Sequence, residues 1–214
     1  MSRHAMSSKQ ASQVKRRGHA REREFNRIYG YEDDEINHSG ASADCEIRED
    51  HKILKELYKH IGTSSRSVSV KGGNTMQFHL GNIPELTNKE QMIVSKHPNG
   101  ATIVDHGISF EAQIEALTSR TFWNKYLKKG DIMAYSYDDG RHLFFNMDDV
   151  IDFIINNITW RKIYTGRLKG DFGKQLLTYE YRAIKKSLNF GASGSKKGRE
   201  FIEVLKANLR HYIA

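Results

Sequence analysis

Asp44 and Lys71 are the residues whose types and setting most invite chemistry. Residues 67–81 read SVSVKGGNTMQFHLG: an alternating run ends on Lys71, breaks at Gly72-Gly73, and resumes through Gln77 and His79. Upstream, the small-residue run Ser39-Gly40-Ala41-Ser42-Ala43 leads into Asp44, on a short strand predicted over Ala43–Ile47. Metal-assisted cleavage of a phosphodiester needs a carboxylate to hold a divalent cation. It needs a second oxygen, often a main-chain carbonyl, and a lysine near the attacking water and the phosphate. Ser69-Val70-Lys71 can supply the last two. Period two puts Ser69 and Lys71 on one face and Val70 on the core face, and the glycines are expected to clear a close approach. Asp44 is the expected metal carboxylate, the Val70 carbonyl its partner, and Glu22 on the first predicted helix a further oxygen. Glu46 shares a strand face with Asp44 and is the other candidate carboxylate.

These residues have bland readings as well. A strand-end lysine is usually solvated, a helix glutamate usually faces water, and a diglycine is usually a plain turn. Only the conjunction of Asp44, Lys71, the glycines and a basic chain carries weight. Cys45 alternates inward and reads as core rather than nucleophile, and His79 reads as exposed or supporting. No HxxxH or CxxC spacing suggests zinc, and no G-x-x-x-x-G-K-[ST] loop suggests an ATPase.

The elements that must position these residues interleave. Residues 1–17 read as a flexible basic arm, followed by a helix from about His19 to Tyr29 with Phe25, Ile28 and Tyr29 inward. HKILKELYKHIG reads as a short amphipathic helix with Ile53, Leu54, Leu57 and Tyr58 inward. Residues 66–71 and 75–80 read as a hairpin or bulged strand pair. Residues 87–97 and 109–128 read as helices, the second with a stripe of Phe110, Ile114, Leu117, Phe122 and Tyr126. Strands at 132–137 and 142–145 flank Asp138-Asp139-Gly140, and MDDVIDFIINNI is a helix. TWRKIYTGRLKG and LLTYEYRAIKKSL read as two long strands, with Trp160 and Tyr164 as core residues. GREFIEVLKANLRHYI reads as a closing helix. The class is mixed α/β or α+β, a central mixed β-sheet flanked by helices. A single domain over 18–214 is expected, with its core at about 18–130 and its contact part at about 131–214.

Charge narrows the partner. In 214 residues, 34 Lys and Arg against 26 Asp and Glu leave a formal net charge of +8, with a pI near 9.4. That balance favours a polyanion, nucleic acid before membrane surface. One cysteine fits a reducing cytoplasm, and no apolar run reaches membrane-spanning length. The C-terminal third interleaves cations with glycine and aromatic residues. Arg167, Lys169, Arg182, Lys185, Lys186, Lys196, Lys197 and Arg199 are the expected DNA contacts. Gly191-Ala192-Ser193-Gly194 is a candidate phosphate loop before the last helix.

GHAREREF, SGASADCEI and SVSVKGGNTMQFHLG, in that order, resemble the PD-(D/E)XK nuclease family, and among its members the type II restriction endonucleases. The resemblance covers residues 18–81. It implies a restriction-endonuclease-like fold and Mg2+-dependent, sequence-specific cleavage of double-stranded DNA to 5′-phosphate and 3′-hydroxyl ends. It also implies a homodimer and a cognate DNA methyltransferase in the same system. Glu22 would match the helix glutamate, Asp44 the metal aspartate, Lys71 the lysine and Gln77 the glutamine. Two positions depart from the pattern: Ala43 replaces the proline, and Ser69 stands where the second acid belongs. Either Glu22 or Glu46 would then make up the missing charge. The rival expectations are a repair or recombination nuclease of the same fold and a basic nucleic-acid-binding protein that does not cut.

Overall fold

A computed structural model describes residues 8–31, 43–73, 76–81, 90–96, 99–164, 167–182, 187–192 and 197–214. The chain is mixed α+β and divides into two compact units. The first comprises 1–72, 129–147 and 210–214, and the second 73–128 and 148–209.

The first unit is built on a mixed five-stranded sheet. Its strands are β1 (Cys45–Glu46), β2 (Ser67–Gly72), β6 (Ile132–Ser136), β7 (His142–Asn146) and β12 (Tyr212–Ile213), in the order β1-β2-β6-β7-β12. β2 runs parallel to β6, and the other pairs are antiparallel. Strand alternation sends Val68, Val70, Ile132, Ala134 and Phe144 to one face. Helices α1 (Ser8–Tyr29) and α2 (Ile53–Ile61) cover that face with Phe25, Tyr29, Ile53, Leu57 and Ile61. Each such side chain taken fully from water contributes about 1.5–3 kcal/mol. α2 closes on Gly62, whose φ of 70° ends the helix in the left-handed conformation.

The second unit holds an antiparallel sheet, β3 (Met76–Gly81), β11 (Ser187–Ala192), β10 (Lys174–Arg182), β9 (Arg167–Phe172) and β8 (Thr159–Tyr164), in that order. A separate hairpin pairs β4 (Glu90–Lys96) with β5 (Thr102–Ile108). Its helices are α3 (Phe110–Leu117), α4 (Arg120–Tyr126), α5 (Met147–Asn157) and α6 (Lys197–Asn208), and α6 lies against β10 and β11. Trp160 is buried, as expected; the Tyr164 side chain lies outside the described residues. No helix among the described residues is long and apolar enough to cross a membrane.

Several expectations are corrected. α1 begins at Ser8, so 8–17 is helix rather than flexible arm. Residues 66–71 and 75–80 form no hairpin: β2 and β3 enter different sheets. Residues 90–96 form a strand, because a partner at 102–108 satisfies their backbone groups. The helix expected over 109–128 breaks at Thr118-Ser119, where the Ser119 hydroxyl accepts from the Phe122 N–H and caps a new helix. The two long strands are a β8–β9 hairpin and a β10–β11 pair. Tyr58 faces solvent, 66% exposed.

One core residue sets a pH limit on stability. His142 on β7 is 1% exposed, and neither ring nitrogen has a hydrogen-bond partner among the described residues. It lies edge-on to Phe25 at 5.4 Å and Tyr29 at 5.3 Å. Burial holds its pKa below the ordinary histidine value, with only the Glu24 charge pulling the other way. Burial also lowers His51, followed by the Arg48 charge. Below about pH 6.5 the unfolded chain therefore binds more protons than the folded one, and stability falls as pH drops toward the folded-state value. The melting temperature should decline between about pH 7.5 and about pH 5.5, and His142→Leu should flatten that decline.

Candidate active site

The candidate site lies wholly in the first unit. Asp44 sits one residue before β1, and the register of Cys45 opposite Val68 carries it to the level of Ser69. One oxygen of Asp44, Oδ2, accepts three hydrogen bonds from three consecutive residues. Ser69 Oγ donates at 2.9 Å, the Val70 N–H at 3.0 Å and Lys71 Nζ at 2.9 Å. Lys71 Nζ also donates to the Val70 carbonyl at 3.2 Å. Ser69 is buried, while the Lys71 and Asp44 side chains keep 17% and 23% exposure. Such partial enclosure weakens solvent screening, and bonds to an ionised group are stronger than neutral ones.

The neighbouring elements hold this arrangement. The Cys45 thiol donates to the Glu22 carbonyl at 3.6 Å, which ties β1 to α1. Burial, then the Asp44 and Glu22 charges, push that thiol far above its ordinary pKa, so Cys45 is a core residue and no thiolate. The Ile47 N–H donates to the Arg66 carbonyl at 2.9 Å and extends the pairing beyond the strand. At the start of β2, Ser65 and Ser67 both donate to Asp131 Oδ2, at 2.7 Å and 3.2 Å, which anchors β2 beside β6.

Gly72 has a different task from the one expected of it. A Cβ there would meet Arg21 Nε at 2.7 Å, Arg21 Cδ at 2.8 Å and the Ser136 carbonyl at 2.9 Å. The missing side chain thus makes room for Arg21 and for close approach of β6. Gly73, at φ 84°, supplies the left-handed turn out of β2. Arg21 is the site neighbour that sequence reasoning missed. The available signal was its place one helical turn before Phe25, on the stripe that buries α1.

The other predicted residues are placed as follows. Glu22 is 28% exposed, with Oε2 3.0 Å from His19 Nδ1. Glu46 pairs with Arg66 and is 52% exposed, so Arg66 already engages its charge. The Gln77 and His79 side chains lie outside the described residues. Arg167 and Lys169 stand on β9, opposite Glu180 and Thr178. Lys197 donates to Glu200 at 2.9 Å, and Arg199 is exposed on α6. The Arg182 side chain, Lys185, Lys186 and Lys196 lie outside the described residues. Gly191 and Ala192 belong to β11, and Ser193 and Gly194 lie outside the described residues.

Among the described residues, no group of three His, Cys, Asp or Glu side chains is placed to hold a metal ion. A hard cation such as Mg2+ needs less, because it keeps several waters and is commonly held by one or two carboxylates plus substrate phosphate oxygens. Asp44 Oδ2 and the Val70 carbonyl converge on one point, since a single ammonium reaches both. The donors therefore fit Mg2+, in a site with one carboxylate charge and with Lys71 competing for the same oxygens. Comparison with protein families, curated proteins and solved structures found no match.

Proposed function

We propose that the chain is a Mg2+-dependent endonuclease of double-stranded DNA, on a restriction-endonuclease-like fold and in the manner of type II restriction enzymes. The observation that supports this reading best is the convergence of Ser69, Val70 and Lys71 on one oxygen of Asp44, a residue 25 positions from Ser69. Asp44 and the Val70 carbonyl would hold the cation, with Glu22 as a further oxygen from α1. The bound cation supplies Lewis-acid stabilisation of the charge that builds on the phosphate. Lys71, released from Asp44, places its ammonium against a non-bridging phosphate oxygen and orients the attacking water. The water gives a proton to solvent as its oxygen bonds to phosphorus, and the bond to the 3′ oxygen breaks as that oxygen takes a proton from solvent. This leaves 5′-phosphate and 3′-hydroxyl ends. Cutting both strands at a symmetric site calls for a homodimer.

Ser69 favours a second reading. It puts a buried neutral hydroxyl where the family has an acid, so a basic nucleic-acid-binding protein that does not cut is the alternative. One experiment separates the two. Purified protein on long unmethylated duplex DNA should give discrete fragments with Mg2+ and none with EDTA. Retarded but uncut DNA in both conditions would replace the nuclease with the binding protein. Cutting confined to damaged or branched duplex would move the reading to a repair or recombination nuclease.

A further inference from the structure

α1 carries Lys9, Lys15, Arg16, Arg17 and Arg21 between Ser8 and Arg21, with no acidic residue. Its buried anchors, Phe25 and Tyr29, lie in its last turns, while Arg16 and Arg17 are exposed. Neither has an acidic partner among the described residues, and no acid in the first turn offsets the positive end of the helix dipole. Isolated helical turns of this length are marginal in water. Arg16 and Arg17 thus present exposed cationic groups.

Residues four apart share a helix face, so Arg17, Arg21 and Phe25 form one line. Phe25 is in the core, Arg21 packs against Gly72, the residue that follows Lys71 on β2, and Arg17 stands one turn further out. Among the described residues, Arg21 holds only a 4.0 Å pairing with Asp138, whose side chain is 66% exposed. Such an exposed pair is worth little and yields readily to a stronger anion. Arg16 and Arg23 are also exposed but fall on the opposite side of the helix.

We propose that Arg17 and Arg21 bind consecutive phosphates of the duplex that enters the Asp44–Lys71 site, making this face of α1 a phosphate rail. Arg21 is a binding residue packed against Gly72, and the rail adds to the expected C-terminal contacts. The proposal rests on DNA being the partner, as argued above, and not on cleavage.

The test measures binding of a non-specific DNA duplex in EDTA across a salt series, where cutting does not enter. Each phosphate contact contributes about 0.9 to the slope of log K against log salt. Arg17→Ala with Arg21→Ala should flatten the slope by about 1.8, while Arg16→Ala with Arg23→Ala should leave it nearly unchanged. Arg21→Lys, which keeps the charge, should retain the slope. Circular dichroism and melting temperature confirm that each variant is folded. Equal flattening by both pairs would reduce the effect to total charge and overturn the proposal, as would no flattening by either. A selective loss at Arg17 and Arg21 in a protein that never cuts DNA would uphold the rail and dismiss the nuclease.

Discussion

Asp44→Asn and Lys71→Met are each expected to lower Mg2+-dependent cleavage by about 10^2–10^3-fold while leaving DNA binding in place. Removing a preorganised donor or charge from a developing anion typically costs 10^2–10^3 in rate, about 2.7–4 kcal/mol. Lys71 is such a group, and Asp44 is a carboxylate in direct contact with it. Asparagine keeps the shape of Asp44, and its amide oxygen can still accept from Ser69, Val70 and Lys71. A folded but inactive protein is the result. Methionine keeps the length of Lys71 without the ammonium. Gel shift in EDTA should show near-normal retardation for both, and single-turnover cutting should show the loss. A Lys71→Met protein that cuts at the normal rate would end the proposed role of Lys71.

Ser69→Asp is expected to make the protein depend on Mg2+ for its stability. Ser69 is 2% exposed and donates to Asp44 Oδ2 at 2.9 Å. An aspartate there removes the donor and sets two like charges in an enclosed place, with only Lys71 between them. The cost in EDTA should be about 2–4 kcal/mol, in the range for an uncompensated buried polar or charged group. A cation held by both carboxylates would recover it, since ligand at about 100 times its dissociation constant contributes about 2.7 kcal/mol. The readout is melting temperature against Mg2+, with Ca2+ as a second hard cation. The wild type, with one carboxylate and a resident ammonium, should respond much less. A Ser69→Asp protein unresponsive to either ion would show that the Asp44 and Val70 oxygens do not face a cation position.

The part of this site that could be read in the sequence is the part set by short-range rules. Period two placed Ser69 and Lys71 on one face and Val70 on the other, and the β2 register bears this out. The Asp138-Asp139-Gly140 turn between β6 and β7 is a local signal, and Gly140 adopts φ 86° there. The parts that were misread depend on partners distant in sequence. Nothing within residues 66–81 says that β2 will pair with residues 132–136 and β3 with residues 187–192. Residues 90–96 have neither clean period, and their hairpin partner decides the outcome. Glu46 looked available on its strand face until Arg66 was seen to pair with it. The purpose of Gly72 became legible only with the Arg21 side chain beside it.

The order in which the first unit acquires its strands has a consequence during synthesis. Asp44 and Lys71 are made early, but the sheet's central strand is residues 132–136 and its far edge is residues 212–213. A nascent chain that has just emerged past Lys71 can pair β1 with β2 but lacks the β6 backbone against which β2 lies. Such long-range closure makes folding slow, because loop entropy is lost before the contacts repay it. The sheet that supports the Asp44–Lys71 contact is thereby completed only after residues 132–136 are made, and a product terminated before them would carry β1 and β2 without the strand that backs them.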